Sequence, residues 1–67
     1  MSLGNRLRKL RQDKGLTQTE LANIIGTKKT TISNYETGYS SPDYETLIKL
    51  ADFFEVSTDY LLGRKEG

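Results

Sequence analysis

Apolar residues recur every three or four positions along most of this chain, and no segment alternates with the period of two expected for a strand. In the first segment Leu3, Leu7 and Leu10 share one helical face, and Gly15 is placed to end that helix in the left-handed conformation. Two further stripes are carried by Leu21, Ala22, Ile24 and Ile25, and by Leu47, Leu50, Ala51 and Phe54. The pattern predicts an all-α fold of five short helices.

Capping residues predict where the later helices begin and end. Thr17, with Glu20 three positions later, forms a capping box for the second helix, which Gly26 then ends. The third helix is expected to finish at Thr37 and Gly38. The residues expected to open the remaining helices are Thr27 for the third, Ser41 with Pro42 for the fourth, and Ser57 for the fifth.

A short turn centred on Gly26 joins the second and third predicted helices, which is the pattern of a helix-turn-helix over about residues 17–37. Glycine suits this turn because it adopts positive φ and leaves room where two helices cross. The small side chain of Ala22 favours the same close approach. The contacts expected to hold the two helices together are Leu21, Ile25, Ile32 and Tyr35.

The third helix, KKTTISNYE from Lys28 to Glu36, is polar over most of its surface. On a helical wheel Ile32 and Tyr35 face inward. The outward arc and the N-terminal tip carry ammonium, hydroxyl and carboxamide groups, which can bond to base edges in a DNA major groove. These groups belong to Lys28, Lys29, Thr30, Ser33 and Asn34. A solvated helix face without a ligand has a similar composition, so this pattern alone leaves both interpretations open.

The chain has no cysteine and no histidine, and no group of residues in the sequence forms a catalytic constellation. An enzyme is therefore not expected, and neither is a metal ion or another cofactor.

Residues 1–29 hold seven Lys or Arg against two acidic residues, whereas residues 30–67 hold three against seven. This segregated charge suggests an anionic partner, although chance on a solvated surface explains it equally well. No membrane-spanning run or signal peptide is evident, so a cytoplasmic protein is expected.

The stretches LTQTELA, ISNYETG and VSTDYLLG, together with the turn at Gly26, resemble the lambda-repressor-like helix-turn-helix family, also called Cro/cI or XRE type. The resemblance runs from about Arg6 to Gly63, which is nearly the whole chain. It implies one compact five-helix domain over residues 1–67 that binds double-stranded operator DNA, usually as a homodimer on a palindromic site.

The resemblance also implies which side chains contact DNA. The role of Lys28 is the least defined, because its side chain could contact a base or could equally serve as a phosphate ligand. The implied base contacts are Lys28, Lys29, Thr30 and Asn34, with Ser33 beside them. The implied phosphate ligands are Gln18 and the loop residues Tyr39, Ser40 and Ser41.

Other residues are expected to stabilise the domain or to join two copies of it. The resemblance implies a salt bridge between Arg11 and Glu36, and Phe53 and Tyr60 are candidates for a dimer contact. The remaining basic residues of the first helix are expected to be solvated, namely Arg6, Arg8 and Lys9. The residues assigned to the core by default are Tyr44, Phe54, Leu61 and Leu62.

The function predicted from these features is sequence-specific transcriptional regulation, with repression by a third helix placed in the major groove of an operator. The alternative is a protein-interaction module on the same fold, of the antitoxin or anti-repressor type, with its contact carried by the helices after Pro42. Residues 1–3 and 66–67 are candidate cloning additions, so the chain is also a candidate fragment of a longer protein.

Overall fold

The computed structural model describes residues 2–64, and within that range it contains five α-helices and no strand. The helices are α1 (Leu3–Asp13), α2 (Gln18–Ile25), α3 (Lys29–Thr37), α4 (Tyr44–Phe54) and α5 (Thr58–Leu61). The predicted all-α fold is therefore confirmed. Helix α3 packs on both α1 and α2, and α5 packs on α1 and α4. None of the described helices is long enough and apolar enough to cross a bilayer.

The predicted turn between α2 and α3 is confirmed by its backbone geometry. Gly26 and Gly38 end the two helices in the left-handed conformation, with φ of 88° and 82°. The capping box is also present: Thr17 Oγ1 accepts the Glu20 N–H at 3.0 Å, and Glu20 Oε1 accepts the Thr17 N–H at 2.8 Å. Ser57 caps α5 as predicted. These contacts satisfy backbone groups that a helix end leaves without intrahelical partners, so both ends of α2 are set locally.

Two predicted helix starts are wrong. Helix α3 is preceded by Lys28 rather than capped by Thr27, and the Lys28 side chain makes no capping hydrogen bond. Helix α4 starts after Asp43, whose Oδ1 accepts the Thr46 N–H at 2.9 Å, and not at residues 41–42. A carboxylate caps a helix well and also interacts favourably with the positive end of its dipole, which explains why Asp43 takes this position.

The core lies where the five helices meet, and it includes Phe54 and Leu61 as predicted. Tyr44 and Leu62 were expected there as well, but Tyr44 is 86% exposed and Leu62 is also exposed. Tyr44 is the first residue of α4 and Leu62 is the C-cap of α5, so both lie at helix ends, outside the inward stripes. The largest fully buried side chains are Leu7, Leu21, Ile32, Leu50 and Leu61.

A glycine in α1 allows this helix to lie directly on the end of α3. A Cβ atom at Gly4 would lie 2.7 Å from the Tyr35 carbonyl oxygen and nearer still to the Glu36 carbonyl oxygen. Because both neighbours are backbone atoms, they cannot rotate away as the end of a side chain can. The spacing between α1 and α3 therefore depends on the absence of a side chain at Gly4.

Two of the candidate cloning additions, Ser2 and Leu3, make contacts within the domain. Ser2 caps α1 by accepting the Asn5 N–H at 3.2 Å, and Leu3 packs against the core. Both are therefore part of the folded domain. Met1, Glu66 and Gly67 lie outside the described residues.

Glu55 offers a direct way to stabilise the domain. It is the C-cap of α4 and has a φ of 56°, the left-handed conformation that costs an L-residue about 1–2 kcal/mol. Glu55→Gly is expected to stabilise the fold by about 0.5–1 kcal/mol and to raise Tm by a few degrees. Thermal unfolding followed by circular dichroism measures this change. The control Lys49→Gly, in the exposed middle of α4, should lower Tm instead, and a lower Tm for both variants would contradict the prediction.

Candidate nucleic-acid interface

Helix α3 has an apolar side that docks on the domain and a polar side that faces outward. Ile32 is fully buried and Tyr35 nearly so, and they fix α3 against α1 and α2. On the other side Lys28, Lys29 and Thr30 are exposed, while Ser33 and Asn34 are half-buried. The structure thus brings the five candidate base-contacting residues together on one side of a rigidly held helix. Its outer surface offers hydrogen-bonding groups and no large apolar side chain.

The N-terminal end of α3 carries positive charge. Lys28 and Lys29 lie there in sequence and are both exposed, and the Lys28 side chain makes no capping hydrogen bond. The first N–H groups of a helix lack intrahelical partners, and the helix dipole adds partial positive charge at this end. Together these features favour a negatively charged ligand at the tip of α3.

The loop after α3 is held by the last turn of the same helix. The N–H groups of Tyr39 and Ser40 donate to the Asn34 carbonyl oxygen at 2.9 Å and 3.2 Å. Tyr39 is 83% exposed, and Ser40 and Ser41 are exposed as well. These three candidate phosphate ligands therefore have accessible hydroxyl groups on a loop whose position is tied to α3.

A buried carboxylate, that of Glu36, connects the three N-terminal helices. Arg11 Nε donates to Glu36 Oε2 at 2.7 Å, and Arg11 Nη2 donates to Glu36 Oε1 at 3.1 Å. Arg11 Nη1 also donates to the Leu16 carbonyl oxygen at 2.8 Å, just before the start of α2. The pair implied by the family resemblance is thus a two-pronged bond, the geometry that makes Arg–carboxylate pairs strong.

The pKa of Glu36 reflects competition between burial and bonding. Burial by itself would raise this pKa, but hydrogen bonds from Arg11 and Gln18, the charge of Arg11 and a bond from Arg8 outweigh it, so the pKa lies below its usual value. The hydrogen bond to Glu36 in turn raises the pKa of Arg11. The carboxylate and its guanidinium partner are both charged at neutral pH.

Arg8 and Gln18 also bond to the Glu36 carboxylate, which was not predicted. Arg8 Nε lies 3.4 Å from Glu36 Oε1, and Gln18 Nε2 donates to the same oxygen at 3.1 Å. Arg8 is exposed, as expected, but it is not simply solvated, because its guanidinium also contacts Glu36. Gln18, a candidate phosphate ligand at the first position of α2, has its amide oriented by Glu36.

Arg6 was likewise expected to be solvated, but only 4% of it is exposed. Its guanidinium carbon lies 4.3 Å from the centroid of the Tyr60 ring, and this cation–π contact joins α1 to α5. Tyr60 is half-buried. Phe53, the other dimer candidate, is also half-buried and packs edge-on against Phe54 with ring centroids 4.9 Å apart. Each dimer candidate therefore has an intramolecular role, and a dimer contact through either remains a proposal.

The sequence contained a signal for the unpredicted contacts to Glu36. Gly4, Arg8 and Arg11 are spaced four and three residues apart, so they form one stripe along α1. In the structure this stripe lies along the C-terminal end of α3 and contacts Glu36. Because this stripe lies beside the apolar stripe of α1, its arginines could have been predicted to contact another helix rather than solvent.

The fold and this polar site together identify a class of protein. Residues 7–61 match the family model described as helix-turn-helix. The chain belongs to the lambda-repressor-like, Cro/cI or XRE-type helix-turn-helix family, and the predicted family is confirmed. This family is a class of DNA-binding regulators and not a class of enzymes.

Two transcriptional regulators are similar to this chain over nearly its whole length. The chain is 50% identical over 66 residues to the HTH-type transcriptional regulator ImmR of Bacillus subtilis (strain 168), a match that covers 98% of this chain and 52% of that protein. It is 39% identical over 64 residues to the cryptic phage CTXphi transcriptional repressor RstR of Vibrio cholerae, covering 96% of this chain and 57% of that protein. The chain thus spans about half the length of the curated relatives it matches.

A solved structure extends the similarity to the backbone. The P22 c2 repressor protein, crystallised in complex with a synthetic operator, matches with a TM-score of 0.91 and 29% sequence identity. The match covers 97% of this chain and 98% of that chain. The similarity therefore includes α2, the turn at Gly26 and α3, together with the helices that hold them.

Proposed function

We propose that this domain binds double-stranded DNA in a sequence-specific manner and regulates transcription. The observation that carries the proposal is the polar outer side of α3, which is held by Ile32 and Tyr35 and carries Lys28 and Lys29 at its tip. A helix of this kind fits the major groove, where every base pair presents a distinct set of hydrogen-bonding groups. Family membership and the similarity to an operator-bound repressor support the same conclusion.

In this proposal the DNA ligands divide into two groups. The side chains assigned to base edges are Lys29, Thr30 and Asn34, with Ser33 beside them and Lys28 on a base or a phosphate. The side chains assigned to the phosphate backbone are Gln18, Tyr39, Ser40 and Ser41. Phosphate ligands fix the position of a protein on the duplex, whereas base contacts determine which sequence it prefers.

We further propose repression in the cytoplasm by a homodimer on a palindromic operator, without a cofactor. Two relatives named as repressors, RstR and P22 c2, support this mode of action. Two copies on half-sites about one helical turn apart would combine two weak monomer affinities into a strong one. Phe53 and Tyr60 remain the dimer candidates, since both residues are only half-buried.

A protein-interaction module on the same fold is the second candidate function. The observation in its favour is an apolar surface on α4, where Tyr44 and Ile48 are exposed one helical turn apart. This surface lies after Pro42, in the part of the chain where such a contact was expected. Binding to a protein there is compatible with DNA binding through α3.

Selection of binding sites from a random duplex library, at one fixed and near-physiological salt concentration, tests the proposed function. Enrichment of a short palindrome is expected, and the spacing of its half-sites gives the geometry of the dimer. Enrichment of a single half-site would retain sequence-specific binding and exclude a dimer of this domain alone. Absence of enrichment with folded protein would contradict DNA recognition and favour a protein partner.

Asn34→Ala is expected to remove discrimination at one base position of the selected site. The variant is expected to lose about 1–3 kcal/mol of binding free energy on the preferred site, because a carboxamide can form two hydrogen bonds to one adenine. The main-chain carbonyl that holds the following loop is kept in this variant. Fluorescence anisotropy on duplexes that carry each base at each position measures the change. The comparison variant Gln18→Ala should weaken all duplexes about equally, and a uniform loss for Asn34→Ala would contradict its assignment to a base.

A further inference from the structure

We propose that Arg8 is a DNA-backbone ligand, held by Glu36 beside Gln18 so that the first helix takes part in phosphate binding. This inference rests on the proposed function, since it adds a residue to the same interface. It assigns to Arg8 a role beyond the general positive charge of the N-terminal half of the chain.

The position of Arg8 follows from the stripe that faces α3. Arg8 Nε lies 3.4 Å from Glu36 Oε1, and Arg8 Nη2 lies 3.5 Å from the Glu36 carbonyl oxygen. Gln18 Nε2 donates to the same Oε1 atom at 3.1 Å. Because both nitrogens contact one oxygen, Arg8 is a neighbour of the residue assigned to a phosphate at the start of α2.

Arg8 and Arg11, which both contact Glu36, differ in the exposed fraction of their side chains. The Arg11 side chain is 12% exposed, and its nitrogens bond to both carboxylate oxygens and to the Leu16 carbonyl. The Arg8 side chain is 44% exposed, and its contacts to Glu36 are longer. Arg11 therefore satisfies the buried carboxylate, while Arg8 is oriented by it and keeps a large part of its side chain exposed.

The charge of the cluster also favours an anion. Arg8 and Arg11 contribute two positive charges against the single negative charge of Glu36, and the surplus lies at the more exposed Arg8. A guanidinium matches a phosphate well because its N–H groups can donate two parallel hydrogen bonds. An orienting contact on one edge of Arg8 reduces the rotamer freedom that would otherwise be lost on binding.

Salt dependence of binding tests this assignment, with Lys9 as a matched control. Lys9 is the next residue on α1, carries the same charge, is exposed and pairs only with the exposed Asp13 at 3.6 Å in the part of the chain described. Affinity for the selected duplex is measured at several salt concentrations for the unmodified domain, Arg8→Gln and Lys9→Gln. Arg8→Gln should reduce the slope of log affinity against log salt by about 0.9 and weaken binding about fivefold near 0.15 M salt. Lys9→Gln should change both quantities much less.

A second variant separates phosphate binding from folding. Arg8→Lys keeps the charge and should retain most of the salt slope, and the Tm of each variant shows whether the protein is folded under the binding conditions. Equal slopes for Arg8→Gln and Lys9→Gln in folded proteins would overturn the inference and leave DNA binding intact. A domain that binds no duplex at all would overturn the proposed function and this inference together.

Discussion

Arg11→Ala is expected to remove most of the stability of this domain. Glu36 has no exposed side-chain surface, so the substitution leaves a buried carboxylate without its main partner. Loss of one member of a buried pair costs about 3–5 kcal/mol. The total stability of a small domain is only about 5 kcal/mol, which makes this a large fraction of it. Thermal unfolding by circular dichroism should show a Tm lowered by more than about 10 °C.

Two comparisons show whether the lost stability comes from burial of the charge. Lys9→Ala removes an exposed partner of Asp13 from the same helix and should change stability by less than about 0.5 kcal/mol. The double variant Arg11→Ala, Glu36→Gln removes both charges and should recover part of the loss, because no buried carboxylate then remains without its partner. A Tm for Arg11→Ala within a few degrees of that of the unmodified domain would contradict the assigned role.

The same ion pair predicts how stability depends on pH. The pKa of Glu36 is lower in the folded domain than its usual value near 4.5, because the bonds from Arg11, Gln18 and Arg8 outweigh the effect of burial. Because this pKa is lowered, the pair stabilises the fold fully at pH values above the pKa that Glu36 has in the unfolded chain. The contribution is lost as the pH falls through the pKa that Glu36 has in the folded domain. The stability difference between the unmodified domain and Glu36→Gln should therefore be constant from about pH 6 to 7 and should shrink below about pH 4.5. Asp43 also has a lowered pKa, caused by its hydrogen bonds to Thr46, but it is present in both proteins and does not affect the comparison.

The sequence predicted the features that depend on neighbouring residues in the chain. Gly26 and Gly38 mark left-handed turns by their identity alone, and Thr17 with Glu20 identifies a helix start because both partners of the capping box lie within one turn. The predicted start of α4, at residues 41–42, is too early for a related reason. Several adjacent residues can cap a helix, and the choice of Asp43 depends on which side chain reaches the Thr46 N–H.

Contacts between distant segments were harder to predict. Tyr44 is apolar enough for a core, yet its position at the first turn of α4 leaves it in solvent. Arg8 and Arg6 look alike in the sequence, but Arg8 faces α3 and Arg6 packs on the Tyr60 ring of α5. Which side of α1 meets which helix is decided by the packing of the whole domain. The family resemblance supplied the pairing of Arg11 with Glu36, which no local pattern indicates.

Gly4→Ala is expected to destabilise the domain although alanine favours helices more than glycine does. In an exposed helix this change would stabilise by about 1 kcal/mol. In α1 the new Cβ would lie 2.7 Å from the Tyr35 carbonyl oxygen and closer to that of Glu36, so α1 must move away from α3. Overpacking of this kind typically costs about 1–3 kcal/mol, and here the shift would also lengthen the contacts of Arg8 and Arg11 to Glu36. Chemical denaturation should show a lower unfolding midpoint.

The neighbouring residue of α1 provides the control for this prediction. Asn5 is exposed in the same turn, and Asn5→Ala should leave stability within about 0.5 kcal/mol or raise it slightly. A stabilised Gly4→Ala variant would mean that α1 and α3 are farther apart than the structure places them. A destabilised one that still binds the selected duplex with lower affinity would link the spacing of these helices to the DNA interface, because Glu36 holds Gln18 as well as the two arginines. The absence of a side chain at Gly4 would then influence how Gln18, the proposed phosphate ligand at the start of α2, is oriented.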